Sequence, residues 1–309
     1  MKTTRILFVM SLILAMGMQV EAKKVKLQYG FKAGDQFKLE RTVSQDITQE
    51  MMGQSQTMTN NTRMTYEFKV TEVSASGDMT MQVALVSCGM AMINPMGDMK
   101  YDSETDEAAP DFAKSLSASL NEVYTITLSQ LGVISDIKVP EGLEEKVTKI
   151  LSDLAGSQMA VAASAAGAAV NADAFRLTMS GFFISFPDGG VQVKKPWEAE
   201  VKTNQIIAFN SKTKSELVKA GAEENEIKIT SQITQDPSTA PMEMEGMSIS
   251  YQLMGASEGT LLLDAVTGLV KTNETVTSIT GNIVVESTQL PEPMSIPMTV
   301  RSTEKISRK

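Results

Sequence analysis

From Gln36 onward the chain alternates apolar and polar side chains, the period-two pattern of strands that bury one face. In "QFKLERTVSQDITQE" Phe37, Leu39, Val43 and Ile47 share one face. "RMTYEFKVTEV" aligns Met64, Tyr66, Phe68 and Val70. The turn "SASGD" then leads into Met79, Met81, Val83 and Leu85. Thr, Val and Ser recur throughout, and β-branched residues suit a half-buried pleated surface. Short Gly-containing turns between such strands predict consecutive antiparallel hairpins.

The texture changes at "APDFAKSLSASL", where Phe112, Leu116 and Leu120 fall four apart behind Pro110, a residue suited to a first helical turn. After the hairpin "NEVYTITLSQLGVISDIKVP", the segment "EGLEEKVTKILSDLAG" sets Leu143, Val147, Ile150 or Leu151, and Leu154 on one stripe with acidic residues early. That is an amphipathic helix oriented with its dipole. "SQMAVAASAAGAAV" is small and apolar, too short for a membrane span, and reads as a continued helix or a close-packed connector. In "NADAFRLTMSGFF" Asn171 is placed to cap a third helix carrying Phe175, Met179 and Phe182. Beyond "FPDGGVQVKKPWEAEV" strands return, first with Ile227, Ile229 and Ile233, then with Met247, Ile249, Tyr251 and Leu253. The late stretch "GTLLLDAVTGLVKTNETVTS" echoes the earlier hairpin, with Gly268 standing where the first has Gly132. Each marks a turn that favours positive φ.

The expected organisation is a leader at 1–22, an N-terminal β half at 23–140 with one short helix, a helical connector at 141–186, and a C-terminal β half at 187–309. The predicted fold class is mainly β with a helical insert (α+β). Long antiparallel hairpins would form a curved sheet, half-barrel or sandwich, as two loosely repeated halves around the connector. One sheet or two is open at this point.

Lys2 and Arg5, the apolar run Ile6 to Met18, and the small residues of Val20-Glu21-Ala22 predict a signal peptide cleaved after Ala22. The sole cysteine, Cys88, does not follow that run, so the expectation is a periplasmic or extracellular protein that is not a lipoprotein and has no transmembrane anchor once processed. The net charge of −9 argues against nucleic acid and anionic membrane surfaces as partners. One cysteine allows no internal disulfide. The chain has no histidine, which removes Ser-His-Asp and Cys-His nucleophile arrangements and His-ligated metals. A non-enzymatic protein without a cofactor is therefore expected.

Methionine is the odd abundance, 22 in all. Cys88, Met90, Met92, Met96 and Met99 lie close together, as do Met242, Met244 and Met247, and thioether and thiolate groups at short spacing suit Cu(I). Methionine filling sheet faces is the more ordinary reading. Asp102, Glu104 and Asp106 have calcium-loop spacing without the required Gly and late Glu, so they read as a solvated acidic loop. Trp197, the only tryptophan, is expected to anchor the connector to the sheet rather than stack on a ligand.

The order of "LQYGFKAGDQFKLERTVSQDITQ", "MTYEFKVTEV", Tyr101 to Ser103, "YTITLSQLGVISDIK", "FPDGGVQVKKPWEAEV" and "GTLLLDAVTGLVK" resembles a domain-of-unknown-function family of exported envelope proteins of Bacteroidota. The resemblance covers nearly the whole chain after the leader. One departure is Lys195-Pro196 before Trp197, where many members carry a Gly-Asp-x-Trp turn. The resemblance implies an envelope location and a mostly β fold, with no catalytic residue to carry over. By analogy, the architecture is similar to half-barrel proteins that cradle lipids and lipoproteins. Two roles follow as expectations: a binding or carrier module for an apolar ligand such as lipid, lined by Leu143, Val147, Leu151 and Leu154, or a structural component that docks another envelope protein and has no ligand cavity. The same leucine stripe is expected if the helix only closes a core. Cu(I) binding stands behind both.

Overall fold

The computed structural model describes residues 24–51, 53–95, 97–154, 170–204, 207–244, 246–287 and 292–309. The expected leader, most of the small-residue segment after α2, and Met96 lie outside the described residues.

The strands are β1 (Gln36–Met51), β2 (Gln54–Val73), β3 (Met79–Ile93), β4 (Met99–Asp102), β5 (Val123–Leu128) and β6 (Ile134–Lys138) in the first half. The second half supplies β7 (Trp197–Asn204), β8 (Ala208–Ala220), β9 (Glu224–Gln235), β10 (Met242–Met244), β11 (Met247–Asp264), β12 (Val270–Ser287) and β13 (Met294–Arg308). The helices are α1 (Lys114–Ser117), between β4 and β5, and α2 (Leu143–Asp153) and α3 (Ala172–Ser180), between β6 and β7. The helix expected over residues 110–120 forms as a 3-10 turn, Asp111–Ala113, running into α1.

All strands belong to one open, curved sheet, in the order β6-β5-β3-β2-β1-β13-β12-β11-β9-β8-β7, with β4 beside β3 and β10 beside β11. The chain thus starts at the centre, meanders to one edge, crosses through the helices to the other edge, and meanders back. Every paired strand runs antiparallel. The two β halves are joined by β1 against β13, from Leu39 opposite Arg308 to Gln49 opposite Met298.

The helices pack on one face, here the inner face, and only at one end. Tyr66 and Phe68 of β2 meet Phe175, Phe182 and Phe183 edge-on, with ring separations from 5.4 to 6.5 Å. Phe175 also stacks on Tyr124 of β5 at 3.8 Å. Asn171 caps α3 by accepting from Ala174 N at 2.9 Å, as its position predicted. The Arg176 guanidinium donates to the Ile134 carbonyl and ties α3 to the edge strand β6. Full burial of a side chain the size of Phe68 or Met179 stabilises by about 1.5–3 kcal/mol, and the fully buried side chains of the core cluster gather at this end.

The repeated hairpins converge here. Tyr29 N donates to the Gln130 carbonyl in the turn between β5 and β6, and Gly30 N donates to the Thr267 carbonyl in the turn between β11 and β12. Gly132 and Gly268 both have positive φ, 83° and 71°. A Cβ on Gly132 would collide with the Ile184 carbonyl, and one on Gly268 with the Gln28 carbonyl. The hairpin recurs because segment 25–31 is clasped by both turns at once. Trp197 is half-buried against this core, the anchoring place expected of it.

Candidate ligand-binding face

Residues directly opposite in antiparallel strands share a face, so the registers define rows across the sheet. Under the helices the inner face is closed core. At its margin Arg41 and Glu304 form an ion pair at 2.7 Å. Glu304 also lies beneath Gly181, just past the end of α3.

Beyond this margin comes a row of small polar groups: Gln45, Asn60, Ser302, Thr277, Ser257 and Ser231. The next row is apolar, with Ile47, Met58, Val300, Ile279 and Ile233. Towards the strand tips follow Met298 and Leu253, then Ile296, Ile283 and Tyr251, then Met294, Val285 and Ile249. From the Gln45–Ser302 row outward, no inner-face position among the described residues is Asp, Glu, Lys or Arg. The outer face over the same rows carries Asp46, Glu50, Arg301, Glu286, Glu258 and Lys212.

The apolar side chains lie on six strands from β2 to β9 and reach about 20 Å along β12 and β13, an area of at most roughly 600 Å² at standard strand spacings. Gln49, Gln56 and Gln235 stand in the row of Met298 and Leu253. Most of these side chains are half-buried, and Leu253 and Ile296 are buried, yet none belongs to the core under the helices. An apolar surface of several hundred Å² is at the upper end of what a monomeric protein exposes, which makes this face the candidate interaction surface. β11 and β12 approach closely at Gly255 and Gly281 on this floor and at Gly259 nearer the core. A Cβ at any of them would collide with the neighbouring strand, so only glycine permits so close a crossing.

The residues singled out in the sequence are distributed differently. Leu143 and Val147 are 1% and 2% exposed, inside the core. Leu151 packs half-buried against that core, and Leu154 ends the helix, its N–H donating to the Ile150 carbonyl. The stripe performs the core-closing role that the same pattern allowed, and the open face lies on the strands instead. Cys88, Met90 and Met92 do share the inner face of β3, with Met99 of β4 opposite Met92. Met90 and Met99 pack against the core, and burial pushes the Cys88 thiol up to about 11, so it stays protonated and is a poor thiolate ligand at neutral pH. Met96 lies outside the described residues.

The outer face has two hollows of about 530 and 670 Å³. In the first, Arg63 holds Asp102 through two hydrogen bonds of 2.9 and 3.0 Å and Glu104 at 2.9 Å. The Asp102 carboxyl is held below the usual range, chiefly by the backbone N–H of Glu104 and also by Arg63. The acidic loop is thus clamped to β2, a role that spacing alone did not reveal.

The architecture is thus an open antiparallel sheet, padded by helices at one end and uncharged on the inner face beyond them among the described residues. The chain belongs to DUF6263, a family of unknown function whose model matches residues 76–270. A solved structure of lipovitellin, described for its lipid–protein interactions, is similar in fold. Its TM-score is 0.50 at 9% identity, over 90% of this chain and 25% of the lipovitellin chain. This protein therefore spans about a quarter of that one's length. An outer membrane channel from Pseudomonas putida F1 overlaps with a TM-score of 0.20 at 6% identity over 91% of this chain and 97% of its own, too little to bear on the fold. No curated protein matches in sequence. No helix among the described residues is long and apolar enough to cross a membrane.

Proposed function

We propose that the protein is a non-enzymatic carrier or binding protein of the cell envelope, holding an apolar ligand such as lipid on the inner face of its sheet. The uncharged apolar rows beyond the Arg41–Glu304 pair carry this reading, since such a surface gains free energy by leaving water. The fold likeness to lipovitellin supports it, as the lipid–protein interactions are described for that protein. The basic start and apolar run of residues 1–22 support export, and the position of Cys88 supports a periplasmic or extracellular protein without a lipid anchor.

The test is native mass spectrometry of the chain expressed with its leader and recovered from the exported fraction. A discrete excess mass, removed by organic solvent and identified as lipid in the extract, is the expected result. A bare mass, together with failure of the protein to take up lipid from micelles, would overturn the proposal.

A further inference from the structure

The carrier reading leaves the chemistry of the ligand open, and the row structure of the inner face narrows it. We infer that the ligand is a neutral lipid, with acyl chains lying on the apolar rows and an uncharged head, bearing hydroxyl or ester groups, set against the row of Gln45, Asn60, Ser302 and Thr277. This inference rests on the carrier reading.

Charge decides the class. A phosphate or carboxylate head moved out of water requires a cation or converging N–H donors, and without them the cost is prohibitive. From the polar row outward the inner face offers neither Lys nor Arg among the described residues. The nearest cation, Arg41, holds Glu304 through Nη2 at 2.7 Å, so the pair has no net charge to offer, and what it keeps is one buried, unpaired Nε–H beside the polar row. Arg63, on the opposite face, is occupied by Asp102 and Glu104.

Hydrogen bonding suits the neutral head. The polar row consists of amides and hydroxyls, groups that both donate and accept. Asn60 Oδ1 is buried with no partner, and a buried acceptor left unpaired costs about 1–3 kcal/mol. A ligand hydroxyl at this point would satisfy it. From Ser302 to Met294 the row-to-tip distance is about 26 Å at standard rise, so long extended chains fit between the polar row and the strand ends.

The experiment titrates the delipidated full chain with fluorescently labelled diacylglycerol and with phosphatidylglycerol bearing the same label, both presented in matched neutral micelles. Two variants accompany it: Thr277→Lys places an ammonium in the polar row, and Ser278→Lys places one on the outer face of the same strand. Expected are binding of diacylglycerol at least about tenfold tighter than of phosphatidylglycerol, a ratio that falls in Thr277→Lys, and an unchanged ratio in Ser278→Lys. Equal or tighter binding of phosphatidylglycerol by the unmodified protein would overturn the neutral-lipid assignment while leaving the carrier reading intact. Uptake of neither lipid would overturn both. A ratio that moves equally in the two variants would show that the head does not sit on this row, which also overturns the inference.

Discussion

Replacing Tyr29 by Phe isolates one hydroxyl at the point where the N-terminal segment, both repeated turns and the helical connector meet. That hydroxyl accepts from Ile184 N at 2.9 Å and donates to the Ile184 carbonyl at 3.2 Å. Phenylalanine keeps the ring against Phe183 at 5.4 Å and Phe186 at 5.1 Å, so packing is preserved. What is lost is the partner of two backbone groups. Ile184 is only half-buried, so at about 1–2 kcal/mol for each of the two unpaired groups the variant should lose roughly 2–4 kcal/mol. For a chain of this size that is a fall in melting temperature of roughly 5–15 °C. Trp197, the only tryptophan and half-buried against the same core, reports urea unfolding by fluorescence without any added probe. A loss under about 0.5 kcal/mol with an unchanged denaturant slope would refute the clasp, because it would mean that Ile184 does not depend on the hydroxyl. The pH dependence gives a second reading. Burial raises the Tyr29 hydroxyl well above its usual range, and raises Tyr66 from 10 to about 12. Their stabilising contribution is complete below pH 10 and is lost as pH climbs towards the folded-state values, by about 1.4 kcal/mol per pH unit for each tyrosine. Tyr29→Phe removes one such group, so its stability should fall less steeply than that of the parent above pH 10.

Gly132→Ala and Gly268→Ala should each destabilise by more than about 2 kcal/mol, since a Cβ meets both a positive φ and a backbone oxygen; Gly34→Ala, where a Cβ meets nothing within 4 Å, should cost only the φ strain. Chemical denaturation of the three variants ranks them. Phe68→Ala should cost about 3–5 kcal/mol, whereas Ile283→Asp, on the open rows, should cost under about 1 kcal/mol in the same assay yet abolish lipid co-purification. Cys88 should resist alkylation at pH 8 in the native protein and react at once in denaturant, because burial holds its thiol protonated up to about 11; rapid native labelling followed by mass measurement would contradict that placement.

Most of the fold was legible because folding itself imposed the pattern. Phe37 and Leu39, Tyr66 and Phe68, and Met79 to Leu85 alternate because one face must leave water, and Asn171 precedes α3 because an exposed helix start needs an acceptor. The stripe Leu143–Val147–Leu151–Leu154 was legible as a helix but not as a destination, since an amphipathic face is the same whether it meets a core or a ligand. The union of the halves was hidden for a different reason. β1 and β13 sit at opposite ends of the chain, and nothing local to either encodes their pairing. The Arg63 clamp on Asp102 and Glu104 was missed likewise, because it depends on β4 lying beside β3.

The candidate face needed the register before it could be seen at all. Along any one strand, "SYQLMG" or "TSITGNIVVES" is an ordinary alternating stretch, and the lack of charge at every second position is unremarkable. Only when β2, β1, β13, β12, β11 and β9 are laid side by side do those positions merge into one uncharged field, with Asp46, Arg301, Glu286 and Glu258 all on the far side. Stability does not explain that sorting. Under the helices an apolar inner face is required by packing, but Ile279, Ile283 and Val285 lie outside the core cluster, and scattered charges at their rim would improve solubility. A chain of net charge −9 that keeps its charge off one broad surface among the described residues bears a cost in solubility there, and the ligand proposed above would offset it.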